Sequence, residues 1–202
     1  MTPSKENALE QTPAERPRDR QCFHVVAIPK FLLMTVLSLG TYTHYWYYRN
    51  WMLYRGQRGF KWLPLLCSVL GHLLIYPLAK TIEKRFTATG QSDGFSALRI
   101  SCLFWLPYLL LLGWLIFIPE RWAAILPDSI IFVIPVVLSV TCWILPLVAL
   151  AHIQQAINIL EGDELGLGNS RVTGMNRLWL YVSWLPLFLM ADFLVRLASQ
   201  LP

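Results

Sequence analysis

Charge is what this sequence has least of. Asp, Glu, Lys and Arg make up only 14% of it, while 55% is apolar. Soluble domains carry about a quarter charged residues, so the composition argues against water as the solvent for most of the chain. The four cysteines, Cys22, Cys67, Cys102 and Cys142, stand far apart and form no CxxC. That spacing gives a zinc or redox site no basis, and the cysteines read as small buried hydrophobes. No GxSxG, HExxH, P-loop or dinucleotide fingerprint occurs, so no catalytic, metal-binding or cofactor-binding residue is assigned and a non-enzyme is expected. Residues 1–22 are too polar and too acidic for the start of a secretory leader, and none is expected. Their mixed charge and prolines predict a disordered cytoplasmic tail.

Long apolar runs fill the rest, and residues 23–202 are read as one helical membrane domain. The runs are Phe31 to Tyr48, Trp62 to Ala79, Ile100 to Ile118, Ser129 to Ala151 and Leu178 to Ala198. Each approaches the roughly 20 residues that a helix needs to cross a bilayer core about 30 Å thick. Hydrocarbon offers no partner to an open backbone amide, and the runs lack the alternation of a barrel strand. The expected fold is therefore all-α and polytopic, with four to five transmembrane helices; the first run either crosses or stays re-entrant or interfacial. Pro64 and Pro107 are placed in first helical turns, and Pro135, Pro146 and Pro186 deeper.

The net charge is +5, and the basic residues cluster at the ends of the apolar runs. This favours a bilayer with anionic headgroups as partner, not nucleic acid. Whether or not the first run crosses, a cytoplasmic N-terminus puts eleven Lys and Arg inside against six outside, as the positive-inside rule asks. The two arrangements differ in the side assigned to the loops 49–61 and 152–177.

Seven of the thirteen residues from Tyr42 to Tyr54 are Tyr or Trp. On a helix Tyr42, Tyr45, Trp46 and Arg49 share a stripe, while Trp51 and the remaining rings take other faces. Rings on all sides suit a belt at headgroup level, from which Arg49 reaches phosphate. Gly40 and Thr43 offer a small face for close helix packing. Ionisable groups inside apolar runs are costly and are candidates for function: His72 near the middle of the second run, and Asp192 with Arg196, which at i and i+4 can pair. The fourth helix is expected to continue past the bilayer through His152–Glu161 and to stop at Gly162. Ile153, Ala156, Ile157 and Leu160 keep helical spacing there, and Gln154, Gln155, Asn158 and Glu161 stay polar, as in a helix that leaves lipid and lies along the surface.

The pattern Ser38-x-Gly40-x-Tyr42-x-x-Tyr45-Trp46-x-Tyr48-x-x-Trp51 resembles the opening signature of a family of small bacterial multi-pass membrane proteins known only as a domain of unknown function. Ser38 stands where that family usually has Thr. Gln155-x-x-Asn158, followed by Gly162-Asp163, Asn169 and Asn176, is similar to the polar connection before the last span in such proteins, some of which are labelled permease-like. The resemblance implies a bacterial inner-membrane location and brings no activity. The leading expectation is a non-enzymatic membrane protein acting by self-association or by binding a membrane partner. A small transporter or channel is the alternative, motivated by the prolines, His72, the Asp192–Arg196 pair and the repeated Trp-Leu-Pro at 62, 105 and 184.

Overall fold

The computed structural model describes residues 21–56, 63–90, 94–117, 125 and 127–199; residues 1–20, the bulk of the expected tail, lie outside that description. Among the described residues there are seven α-helices and no strand: α1 (Ile28–Leu37), α2 (Tyr42–Gly56), α3 (Leu63–Val69), α4 (Ile75–Thr89), α5 (Ala97–Phe117), α6 (Asp128–Leu160) and α7 (Gly174–Ala198). The chain is a helical membrane protein. Three helices, α5, α6 and α7, are long and apolar enough to cross a bilayer.

The first two apolar runs are not continuous helices. In the first, α1 stops at Leu37, and Leu39 and Gly40 both take positive φ, 53° and 83°. Glycine has no Cβ to oppose that conformation. The Ser38 hydroxyl accepts the amide hydrogen of Tyr42 (2.9 Å) and so caps the start of α2. Gly40 is thus a turn residue. It does not form the helix-packing face with Thr43 that the sequence suggested; the Thr43 hydroxyl donates to the Gly40 carbonyl instead (2.6 Å). In the second run α3 ends at Val69, a turn follows, and α4 begins at Ile75. His72 lies in that turn, not in mid-helix. α4 then continues to Thr89 as an amphipathic helix whose buried residues, Ile75, Leu78, Ala79, Ile82 and Phe86, hold helical spacing.

The third, fourth and fifth runs are helical throughout their described length. α5 begins at Ala97, so Pro107 falls in its interior and not in its first turn. At about 1.5 Å per residue, the 33 residues of α6 reach well beyond a core of about 30 Å. α6 ends at Leu160, just ahead of the expected stop at Gly162. Thr173 and Asn176 form a reciprocal capping box at the start of α7.

The sequence reading treats residues 23–202 as one domain; by packing, the described helices group into two compact units, α1, α2, α3 and α7 in the first and α4, α5 and α6 in the second. In the first, α2 packs on α3, and α1 meets α2 and α7. In the second, α5 packs along α6, and α4 packs against both.

Candidate functional site

The aromatic stretch forms the core of the first unit. Tyr42, Trp46, Tyr47 and Trp51 are buried, and Trp46 is 0% exposed. Phe31 of α1 meets Trp46 (ring centroids 5.5 Å) and Tyr42 (6.2 Å), Trp46 meets Tyr47 edge-on (5.0 Å), and Phe23 stacks on Tyr54 (5.7 Å). A belt at the lipid boundary requires exposed rings, so the belt reading is overturned. The short helices α1 to α3 bring enough neighbours together to enclose the rings, and edge-on or tilted pairs are favourable geometries for them. Tyr45 is half-buried and touches Trp179 of α7 (5.9 Å). Between α2 and α3, the His44 ring donates from Nδ1 to the Ser68 carbonyl (2.9 Å), and the Ser68 hydroxyl donates to the His44 carbonyl (2.6 Å). A side chain added at Gly71 would collide with the ring of Tyr47.

A polar network ties the segment before α1 to the connection before α7. Glu161 Oε1 accepts the amides of Cys22 and Phe23 (3.1 and 3.0 Å). Asn50 Oδ1 accepts the His24 amide (3.0 Å), and Asn50 Nδ2 donates to the Trp46 carbonyl (3.0 Å). Asn169 donates from Nδ2 to the Val25 carbonyl (2.9 Å) and accepts Lys30 Nζ on Oδ1 (2.5 Å). Gly166 takes φ +64°, and a Cβ there would fall 2.5 Å from the Ala27 backbone nitrogen. Asp163 serves this loop, accepting the amides of Leu167 and Gly168 at 2.9 Å each. Its role is to hold a turn; Glu161 and Asn169 are the residues of this connection that reach across.

Burial gives this network an electrostatic consequence. Lys30 is buried, and burial holds its ammonium below the usual lysine range. His24 is pushed down to about 4, first by burial and then by the positive charges of Arg49 and Lys30. Arg49, expected to reach lipid phosphate, is half-buried, and its Nε is shut away without a hydrogen bond.

In the second unit, Gln154 and Asn158 are fully buried and joined by a 2.7 Å hydrogen bond from Gln154 Nε2 to Asn158 Oδ1. The end of α6 is therefore enclosed, with two of its polar residues inside, rather than lying with its polar side on the surface. Gln155 lines a cavity of about 530 Å³ between α4, α5 and α6. His72 sets its ring 5.6 Å from that of Phe104.

Asp192 and Arg196 pair as their spacing suggested, Arg196 Nε to Asp192 Oδ2 at 2.8 Å. Their side chains are 58% and 74% exposed, and no residue of α7 is buried. α7 touches the rest of its unit through Trp179 on Tyr45, through a 2.6 Å hydrogen bond between Ser183 and Thr41, and through Trp184 Nε1 donating to the Leu37 carbonyl (2.8 Å). Asp192 and Arg196 follow Ser183 by nine and thirteen residues, about half a revolution away, so the ion pair lies opposite the Ser183–Thr41 hydrogen bond.

The structure does not gather the sequence-derived candidates into one place. Tyr42, Trp46 and Trp51 share the first unit's core with Tyr45 and Arg49 half-buried beside it, while Gln155 and Asn158 belong to the end of α6. Sequence reasoning missed Lys30, His24 and Asn50; a lysine next to a proline at the edge of an apolar run was the available signal for Lys30. Among the described residues no group of His, Cys, Asp and Glu is placed to hold a metal. Comparison with known protein families, curated proteins and solved structures finds no match to the chain.

Proposed function

We propose that the chain is a non-enzymatic protein of a bacterial inner membrane, with its N-terminus on the cytoplasmic side, that acts by association through α7. The partner is a second copy or another membrane protein. The single observation that carries this reading is the Asp192–Arg196 pair, exposed on the side of α7 opposite its Ser183–Thr41 hydrogen bond. Charged side chains in a membrane helix are costly, and they usually face protein or a water-filled cavity. Internal pairing lowers the cost of burying them, and a neighbouring helix can complete their hydrogen bonds. The orientation follows from the distribution of Lys and Arg.

The test is cysteine cross-linking in native membranes from Leu189→Cys and Phe193→Cys, with mass measurement of the protein in nanodiscs. A cross-linked dimer or a discrete larger adduct is expected, weakened in the Asp192→Asn, Arg196→Gln double variant. A monomer in nanodiscs together with no adduct in membranes overturns the reading. A second reading, a small transporter or channel, is supported by the interrupted runs at 38–41 and 70–74, because discontinuous helices build midplane sites in transporters. Solute- or ion-specific flux in proteoliposomes that falls in His72→Ala would replace the first reading with this one.

A further inference from the structure

The cavity of about 530 Å³ in the second unit is walled by Phe86 of α4, by Ile100 and Leu103 of α5, and by Ala156 and Ile159 of α6, with Phe95 just ahead of α5. Its polar lining comes from Arg99, His152 and Gln155. Apolar walls with a few converging polar groups are the usual composition of a small-molecule site, and the volume falls in the usual range. The polar groups also lie at one level of the sequence pattern. Arg99 immediately precedes the apolar run of α5, and His152 immediately follows that of α6. Both therefore mark the depth at which hydrocarbon gives way to headgroups, with Leu103 one turn deeper along α5. The Arg99 guanidinium donates from Nη2 to the Gly94 carbonyl, which fixes it at the rim. Beside the cavity, sharing Phe86, Gly94 and Phe95, a second hollow of about 330 Å³ carries Lys80 and Lys84 along with Glu83. Glu83 is paired with Lys80 and accepts the Ala97 amide (3.3 Å). The positive charges exceed the negative, and the carboxylate is already committed.

We propose that this cavity is a binding site for one anionic phospholipid of the surrounding leaflet. The headgroup phosphate sits against Arg99, with His152 and Gln155 at the rim, and an acyl chain lies along Phe86, Ile100, Leu103 and Ile159. Arg suits phosphate through its planar fork of donors. The bilayer is the source of the ligand, because Leu103 shares its face of α5 with Leu106 and Leu110, three and seven residues deeper and both exposed. The inference stands apart from association through α7, which involves neither these residues nor this unit.

The test uses the full-length protein in a neutral detergent, exposed in turn to phosphatidylglycerol vesicles, to phosphatidylcholine vesicles and to inorganic phosphate. Retained lipid is read by native mass spectrometry. The wild type is expected to keep one phosphatidylglycerol in preference to phosphatidylcholine by about tenfold, the scale of one charge-assisted contact, and Arg99→Gln is expected to lose that preference. His152 is exposed, so His152→Ala leaves the packing intact and is expected to reduce the preference by about threefold; it keeps the proposal testable should Arg99→Gln not fold. Equal retention of the two lipids, or a preference unchanged in both variants, overturns the proposal. So does displacement of phosphatidylglycerol by millimolar phosphate, which would make the cavity a free-anion site.

Discussion

α2 and α7 differ in both composition and burial. α2 mixes Tyr and Trp with His44, Arg49 and Asn50, and Tyr42, Trp46, Tyr47, Asn50 and Trp51 are all buried within its unit. α7 is rich in Leu, Phe, Met and Val, and none of its residues is buried. In water the order would be reversed. In a bilayer the aliphatic face of a helix loses nothing by meeting lipid, because lipid tails are as apolar as leucine. Polar and amphipathic side chains lack hydrogen-bond partners in hydrocarbon, so they collect where protein atoms can supply them. α6 repeats the pattern along a single helix. Phe132, Val133, Val136, Val137 and Val140 in its first half are exposed, whereas Gln154 and Asn158 near its end are fully buried.

The sharpest way to break this contrast is to truncate a buried ring. Trp46→Ala is expected to destabilise the first unit by about 3–5 kcal/mol, the range for emptying a packed aromatic site, read as a lower midpoint in detergent unfolding. If Trp46→Ala leaves the midpoint unchanged, α2 is not a core. The second effect concerns the polar network around α2. His24 titrates at about 4 in the folded protein against about 6.5 when unfolded. Between these values the unfolded chain binds the extra proton, so stability rises with pH across that window and is lost as pH falls through it. Thermal unfolding between pH 7 and pH 4.5 should reveal a loss of about 2.4 kcal/mol, a figure from the linkage relation. His24→Gln should remove that part of the dependence, and an unchanged slope would place His24 in water. The smallest effect is expected on α7: Phe188→Ala, at an exposed position, should shift the unfolding midpoint by no more than about 0.5 kcal/mol. A loss as large as that of Trp46→Ala would mean that α7 is packed against protein on that side.

Much of the architecture was legible in the residues. The three runs free of strong interruption became α5, α6 and α7, the extension of the fourth helix to the edge of Gly162 followed from Ile153, Ala156, Ile157 and Leu160, and the i, i+4 spacing of Asp192 and Arg196 produced a pair. The first two runs misled because hydropathy averages over a window and ignores backbone conformation. Ser38 and Gly40 carry the turn signal, a hydroxyl that caps and a residue that accepts positive φ, yet both sit inside an apolar stretch of nearly spanning length. The aromatic belt failed for a related reason. Rings on every face of a helix fit a lipid boundary and a protein core equally well, and only knowledge of the neighbouring elements separates them.

By itself the sequence determined the solvent of this protein and the helical conformation of its third, fourth and fifth runs, because hydrocarbon offers an open backbone amide no partner along a continuous apolar stretch of about 20 residues. The tertiary structure alone decided which side chains face protein. Phe23, Phe31 and Trp179 come to the α2 rings, and Asn169 to Lys30, across sequence separations that no local pattern encodes. Contacts of this kind depend on where chain breaks send each helix, and that is set by packing among elements, not by the residues of any one of them.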